Sequence, residues 1–143
     1  MKIYIGSDHA GYKHKQEIIH MLETAGHEVV DVGTSSEASV DYADYAHIVA
    51  KAVKSGEAER GILICGTGIG MCIAANRHRG VRAALVHDEY TAKMSRSHND
   101  ANVLCMGARI LSAEAMKALV CMWIETPFEG GRHARRIEGI EDK

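Results

Sequence analysis

Between Glu59 and Asn76 the chain reads Glu-Arg-Gly-Ile-Leu-Ile-Cys-Gly-Thr-Gly-Ile-Gly-Met-Cys-Ile-Ala-Ala-Asn, and this stretch admits few folds. Gly61 to Ile64 is a short apolar run beginning and ending near glycines, as expected of a strand buried on both faces. Gly66, Gly68 and Gly70 then let the backbone turn tightly and approach a ligand with no Cβ in the way. Met71 to Asn76 has helical character. A strand, a glycine loop and a helix in that order leave free backbone N–H groups at a helix N-terminus, where an anion or oxyanion can be held. Cys65 stands at the carboxyl end of the strand, where open α/β sheets place their chemistry. A thiol facing oriented N–H groups can serve as a nucleophile or a general base. The bland alternative is a plain tight turn beside a buried cysteine.

Spacing separates the phosphate-binding readings of this loop. A dinucleotide fingerprint needs a third glycine where this chain has Met71, although Asp88 would serve as the acid about 20 residues on. A phosphatase loop built on Cys65 needs an arginine six positions later, and that position is again Met71. No Gly-Lys-Ser or Gly-Lys-Thr occurs, so the Walker pattern has no match. What survives is a cradle for a small anion or oxyanion beside a thiol.

The rest of the chain repeats the same alternation. Strands are predicted at 2–6, 27–33, 61–64, 81–87 and 101–106. Helices are predicted up to about Ala25, over 41–55, over 71–76, from Asp88 to about Ser97, and from Ser112 to Thr126-Pro127. Five alternations predict an α/β three-layer sandwich around a Rossmann-like, five-stranded parallel sheet. At 143 residues this is one domain. The carboxyl ends of the strands would then gather Asp8 and His9, Asp41 and Tyr42, Cys65 and Thr67, and His87 and Asp88. A net charge of −2 argues against a general nucleic-acid-binding surface. No apolar run reaches membrane-spanning length, and the amino end enters a strand directly, so a cytoplasmic protein without a signal peptide is expected. The four cysteines lack zinc-site spacing and are expected to be reduced, with Cys72, Cys105 and Cys121 as packing residues.

Three further places could carry chemistry. Asp8-His9 opens the loop after the first strand, a position shared by helix caps and active-site residues. Ser97-His98-Asn99-Asp100-Ala101-Asn102 is a dense polar loop before the fifth strand, which a turn would also explain. In the tail, Arg132 and Arg136 fall four apart after Gly130-Gly131, a spacing that suits a phosphate if the segment is helical. Arg109 follows the fifth strand. The remaining histidines, His133 among them, read as solvated.

Taken together, Ser7-Asp8-His9-Ala10-Gly11, Val40-Asp41-Tyr42, the run Cys65 to Met71, Ala74 to Arg77, Ser97 to Asn102 and Thr126 to His133 resemble the type B ribose-5-phosphate isomerases. That group includes galactose- and allose-6-phosphate isomerases. The resemblance covers nearly the whole chain, in order. It implies an aldose–ketose isomerase of the pentose phosphate pathway with no metal or organic cofactor. By analogy Cys65 moves the proton between C1 and C2 through an enediolate, and Thr67 assists among the oxygens. Gly66, Gly68, Ile69 and Gly70, with Thr67, form the cradle for those oxygens. His98 is the acid that opens the furanose ring, and Asp8 and Tyr42 meet the sugar hydroxyls. His9, Arg132 and Arg136 take the phosphate, with Asn99 and Arg109 also lining the site. Two departures stand out: Cys72 where many members have serine, and Ala43 where proline is common.

The substrate expected on this resemblance is ribose 5-phosphate in exchange with ribulose 5-phosphate. The rivals are allose or galactose 6-phosphate in a roomier pocket, and a nucleotide-binding module without catalysis. Residues 115–124 are apolar almost all round, with Lys117 the only charge, and a helix so composed is expected to need a second covering surface. A homodimer with shared sites, or a tetramer built from it, is therefore expected, with the tail beyond about residue 127 packing on the partner.

Overall fold

In the computed structural model, which describes residues 1–142, five strands form one parallel sheet in the order β2-β1-β3-β5-β4. They are β1 (Lys2–Ser7), β2 (Glu28–Asp31), β3 (Arg60–Cys65), β4 (Ala83–Leu85) and β5 (Val103–Gly107). The helices are α1 (Tyr12–Thr24), α2 (Tyr42–Ser55), α3 (Ile69–Ala75), α4 (Glu89–Ser97), α5 (Ala113–Glu125) and α6 (Arg132–Glu138). The predicted three-layer architecture is thus the one observed. β3 and β5 lie inside the sheet and are buried along almost their whole length, as their apolar runs require. The edge strands β2 and β4 are shorter than the sequence suggests, since each has a partner on one side only.

Alternation along the central strands divides the core in two. Ile62, Ile64, Leu104 and Met106 face α1, α4 and α5, where they meet Ile18, Leu22, Leu119 and Trp123. Leu63, Cys65, Val103 and Cys105 face the other way, against Val49, Val53 and Met71 of α2 and α3. Truncating a fully buried residue such as Leu104 to alanine removes about 2–5 kcal/mol of stability. The Cys65 side chain therefore belongs to the α2/α3 layer.

α5 is less in need of cover than its composition predicts. Met116, Leu119, Val120 and Trp123 are buried in the chain's own core, and Met122 and Ile124 pack against it. Ala118 and Cys121 are the exposed apolar positions of its second half. Large exposed apolar side chains lie elsewhere, and three of them, Tyr42, Ile69 and Ile73, surround the glycine loop.

The register decides what can meet what. Gly61 pairs with Val103 and Cys65 with Gly107. Cys65 and the Gly107–Arg109 turn therefore share the carboxyl edge of the sheet. The polar loop 98–102 precedes β5 and lies at the amino edge, about 15 Å away along strands that rise about 3.3 Å per residue.

Candidate active site

At the carboxyl edge the backbone itself makes the cradle. Gly68 takes a left-handed conformation, with φ of 82°, and directs its N–H onto Cys65 Sγ at 3.1 Å. A side chain at Gly68 would collide with Leu85 and the backbone of Met106. Thr67 Oγ1 accepts the Ile69 N–H at 3.2 Å. The following first-turn amides of α3 have no helical acceptor of their own and remain available. β5 closes against the loop from behind. Ala108 N–H donates to the Cys65 carbonyl at 2.8 Å and Arg109 N–H to the Gly66 carbonyl at 3.0 Å.

The walls of the crevice come from three further segments. Tyr42, at the start of α2, packs its ring where a Gly70 side chain would stand, and Arg109 lies over Gly66. Asp8 is nearly buried and accepts the Ala10 and Gly11 N–H groups at 3.0 and 3.3 Å through one oxygen, Oδ1. Its second oxygen is left for the crevice. Beside it, Val40 N–H donates to His9 Nδ1 at 3.2 Å. A ring held in this way carries its hydrogen on Nε2 when neutral and presents a donor outward. Asp8, Tyr42, Cys65, Gly66, Thr67, Ile69, Gly70 and Arg109 line one crevice together with Ile73. Cys65 itself is only 5% exposed, so the sulfur is reached from the crevice alone.

The other expected residues are not in this crevice. His98 follows α4 at the amino edge and stacks on His133, ring centres 4.1 Å apart and planes 12° from parallel. Glu129 reaches both, at 4.0 Å from His98 Nε2 and 3.5 Å from His133 Nε2. These three side chains form the one cluster among the described residues with metal-ligand types in mutual reach. His133 is buried rather than solvated, because α6 folds back and lays it on His98. Desolvation, followed by the nearby His98 and Arg132 charges, lowers its pKa. Asn99 lines a separate cleft with Arg82 and Ile140. Arg132 and Arg136 are exposed on α6, which is the helix their spacing requires. Asp88 is occupied as the N-cap of α4, accepting the Thr91 N–H at 2.8 Å, and does not join Cys65.

The sequence model of the Ribose/Galactose Isomerase family matches residues 3–140. The chain belongs to that family. It is 48% identical to ribose-5-phosphate isomerase B of Escherichia coli, over 97% of this chain and 93% of the relative. Among solved structures it is similar to ribose-5-phosphate isomerase B of Clostridium thermocellum, with a TM-score of 0.97 and 52% identity, covering 98% of this chain and 95% of the other. It is likewise similar to the Mycoplasma genitalium ribose-5-phosphate isomerase B with bound ribulose-5-phosphate, with a TM-score of 0.94 and 45% identity, covering 97% of this chain and 93% of that one.

Within this Ribose/Galactose Isomerase chain the sequence missed two residues near the expected chemistry. Ile73 lines the Cys65 crevice, and its position one helical turn after Ile69 was the available signal. Glu129 couples His98 to His133 and carried no signal beyond its place in the tail motif. The cysteines also divide differently from expectation. Cys105 is buried, but Cys72 is only half-buried and Cys121 is exposed. The neighbouring Cys105 thiol lowers the Cys72 pKa against the opposing effect of burial, while Cys72 and burial push that of Cys105 well up. No helix among the described residues is long and apolar enough to cross a membrane.

Proposed function

We propose that the chain interconverts ribose 5-phosphate and ribulose 5-phosphate, in the cytoplasm and without a cofactor, with Cys65 as the base. One observation carries this reading: the Gly68 N–H donates to Cys65 Sγ while the crevice around that sulfur is lined by backbone donors and hydroxyl partners. This hydrogen bond holds the sulfur in place beside the cradle. The thiolate takes the proton from C2 of the open-chain aldose and returns it to C1. Charge meanwhile develops on the enediolate oxygens, which face the glycine loop and the first-turn amide of Gly70 in a site that is organised before reaction. Thr67 relays protons among those oxygens. Asp8 and Tyr42 hold the sugar hydroxyls. The outward Nε2–H of His9 and the Arg109 guanidinium face the phosphate end.

His98, Asn99, Arg132 and Arg136 enter this reading from a partner. One chain carries them at the far edge of its own sheet, so a homodimer that docks the tail of one chain beside the loop of the other brings each set to a Cys65. The exposed Tyr42, Ile69 and Ile73 give that dimer an apolar contact. Two guanidiniums one helical turn apart suit a phosphate. A tetramer would be built from two such dimers. Allose or galactose 6-phosphate is the second substrate reading, favoured only if the phosphate stands one carbon farther from the thiol.

The test is turnover of the three sugar phosphates side by side, with ribose 5-phosphate expected to lead. Cys65→Ala should lose about a thousandfold or more in turnover while still binding substrate, and Cys72→Ser should stay near wild type. Mixing Cys65→Ala chains with chains carrying Arg132→Ala and Arg136→Ala should restore one good site per mixed dimer. A mixture as silent as its parents, despite proven exchange of subunits, rejects the shared site.

A further inference from the structure

The loop that bears His98 and the tail that bears Arg132 and Arg136 are far apart in sequence, yet they converge on one buried side chain. Arg96 lies in the last turn of α4 and is 5% exposed. Its Nη1 donates to the Ala101 carbonyl at 2.7 Å and to Asp100 Oδ1 at 2.9 Å. Its Nε donates to the Thr126 carbonyl at 3.3 Å. A single planar guanidinium thus grips the 98–102 loop from within and the point where α5 passes into the tail.

The surroundings make this grip specific. The Arg96 guanidinium lies 5.9 Å from the Trp123 ring, and Arg60 packs 5.1 Å from the same ring while donating to the Trp123 carbonyl at 3.2 Å. Asp100 is the one described non-glycine residue with a positive φ, 46°. That left-handed conformation is uncommon for a residue with a side chain, and here Arg96 and Arg82 hold the carboxylate from two sides. The turn it makes puts His98 and Asn99 at its start. The tail is tied to the same place a second time, because Glu129 N–H donates to the Ser97 carbonyl at 3.0 Å. Glu129 then reaches His98 and His133.

We infer that Arg96 is the positioning residue of the donated half-site: its three hydrogen bonds set His98 and the phosphate-binding tail at a fixed distance, so that both arrive together at the partner's Cys65. This rests on the shared-site reading above. Lysine cannot replace the fork, since it offers a point charge where three separately placed acceptors must be met. Arg96→Lys should therefore lower turnover of ribose 5-phosphate by roughly a hundredfold, the size of loss that a misplacement of about 1 Å produces.

Hybrid dimers, co-expressed with two tags and purified by both, locate the defect. Paired with a Cys65→Ala chain, the Arg96→Lys chain should recover about half of wild-type activity, because one site then has an intact thiol and an intact donated half. Paired with a His98→Asn chain it should recover nothing, because both donated halves are damaged. A residue that only stabilised the fold would not sort with His98 in this way. Recovery with His98→Asn, or silence with Cys65→Ala, overturns the assignment. The hybrid of Cys65→Ala with His98→Asn is the control, and silence there overturns the shared site and this inference with it. Should Arg96→Lys fail to fold, Asp100→Asn removes one gripped partner while suiting the left-handed backbone, and it must show the same pattern with a smaller loss.

Discussion

The two edges of the sheet solve the placement of functional groups in different ways. At the carboxyl edge the positions are fixed largely by main chain: glycines at 68 and 107 let one backbone lie against another, those at 66 and 70 make room for Arg109 and Tyr42, and amides do the holding. At the amino edge the positions are fixed by side chains, with a buried arginine, an aspartate in a left-handed turn and two stacked imidazoles. A backbone-built site tolerates changes in the side chains around it but not an added methyl group. A side-chain-built site has the reverse sensitivity, and it can be tuned by charge.

The largest effect that tests this contrast is at the amino edge. If His98 supplies only the proton that opens the ring, His98→Asn should lose on the order of a thousandfold on cyclic ribose 5-phosphate and far less on an open-chain analogue. Equal losses on both substrates would move His98 into the isomerisation step.

The carboxyl edge is broken by a single carbon. A Cβ on Gly107 would sit 2.7 to 2.8 Å from backbone atoms of Thr67 and Gly66. Neither can yield without moving the loop that holds Cys65. Gly107→Ala should cost about 1–3 kcal/mol of stability and roughly a hundredfold in turnover, with Tm and steady-state kinetics as the readouts. A variant with near wild-type turnover would show that the loop can shift freely, against the idea of a fixed cradle.

The smallest effect is electrostatic and falls on the tail. Burial lowers the His133 pKa below its ordinary 6.5. The unfolded or undocked segment therefore binds the proton more readily than the docked one. The contribution of His133 to docking is fully present above about pH 6.5 and declines as the pH falls toward the docked-state pKa. The protection of amides 132–138, taken relative to the intrinsic exchange rate at each pH, should be greater at about pH 7.5 than at about pH 5.5, and His133→Gln should remove most of that difference. Equal protection at both pH values in the native protein would place the imidazole in water after all.

How far each edge is legible from sequence follows from the same contrast. The alternation of apolar runs and capped helices carries the whole architecture, and the glycine loop announces itself because glycine spacing is a local property of the chain. Even the location of His98 at the far edge follows from its place before a strand rather than after one. What is not legible depends on distant partners. Arg96 meets Thr126 across 30 positions and no local pattern marks it. His133 reads as a solvated residue until α6 folds it onto His98. Cys121 sits in an apolar run and is nonetheless exposed, because α5 turns its other side to the core.

The uneven exposure of the thiols bears on how the protein must be handled at the bench. An alkylating reagent meets the exposed Cys121 and then the half-buried Cys72, whose lowered pKa adds to its reactivity, before it reaches Cys65 at the bottom of its crevice. The first thiols titrated are thus not the one beside Gly68, and a modification count cannot stand in for an activity count. Substrate protection of the slowest-reacting thiol is the measurement that isolates Cys65. A chain carrying Cys72→Ser and Cys121→Ser would make it directly readable, with Cys105 sealed inside the sheet.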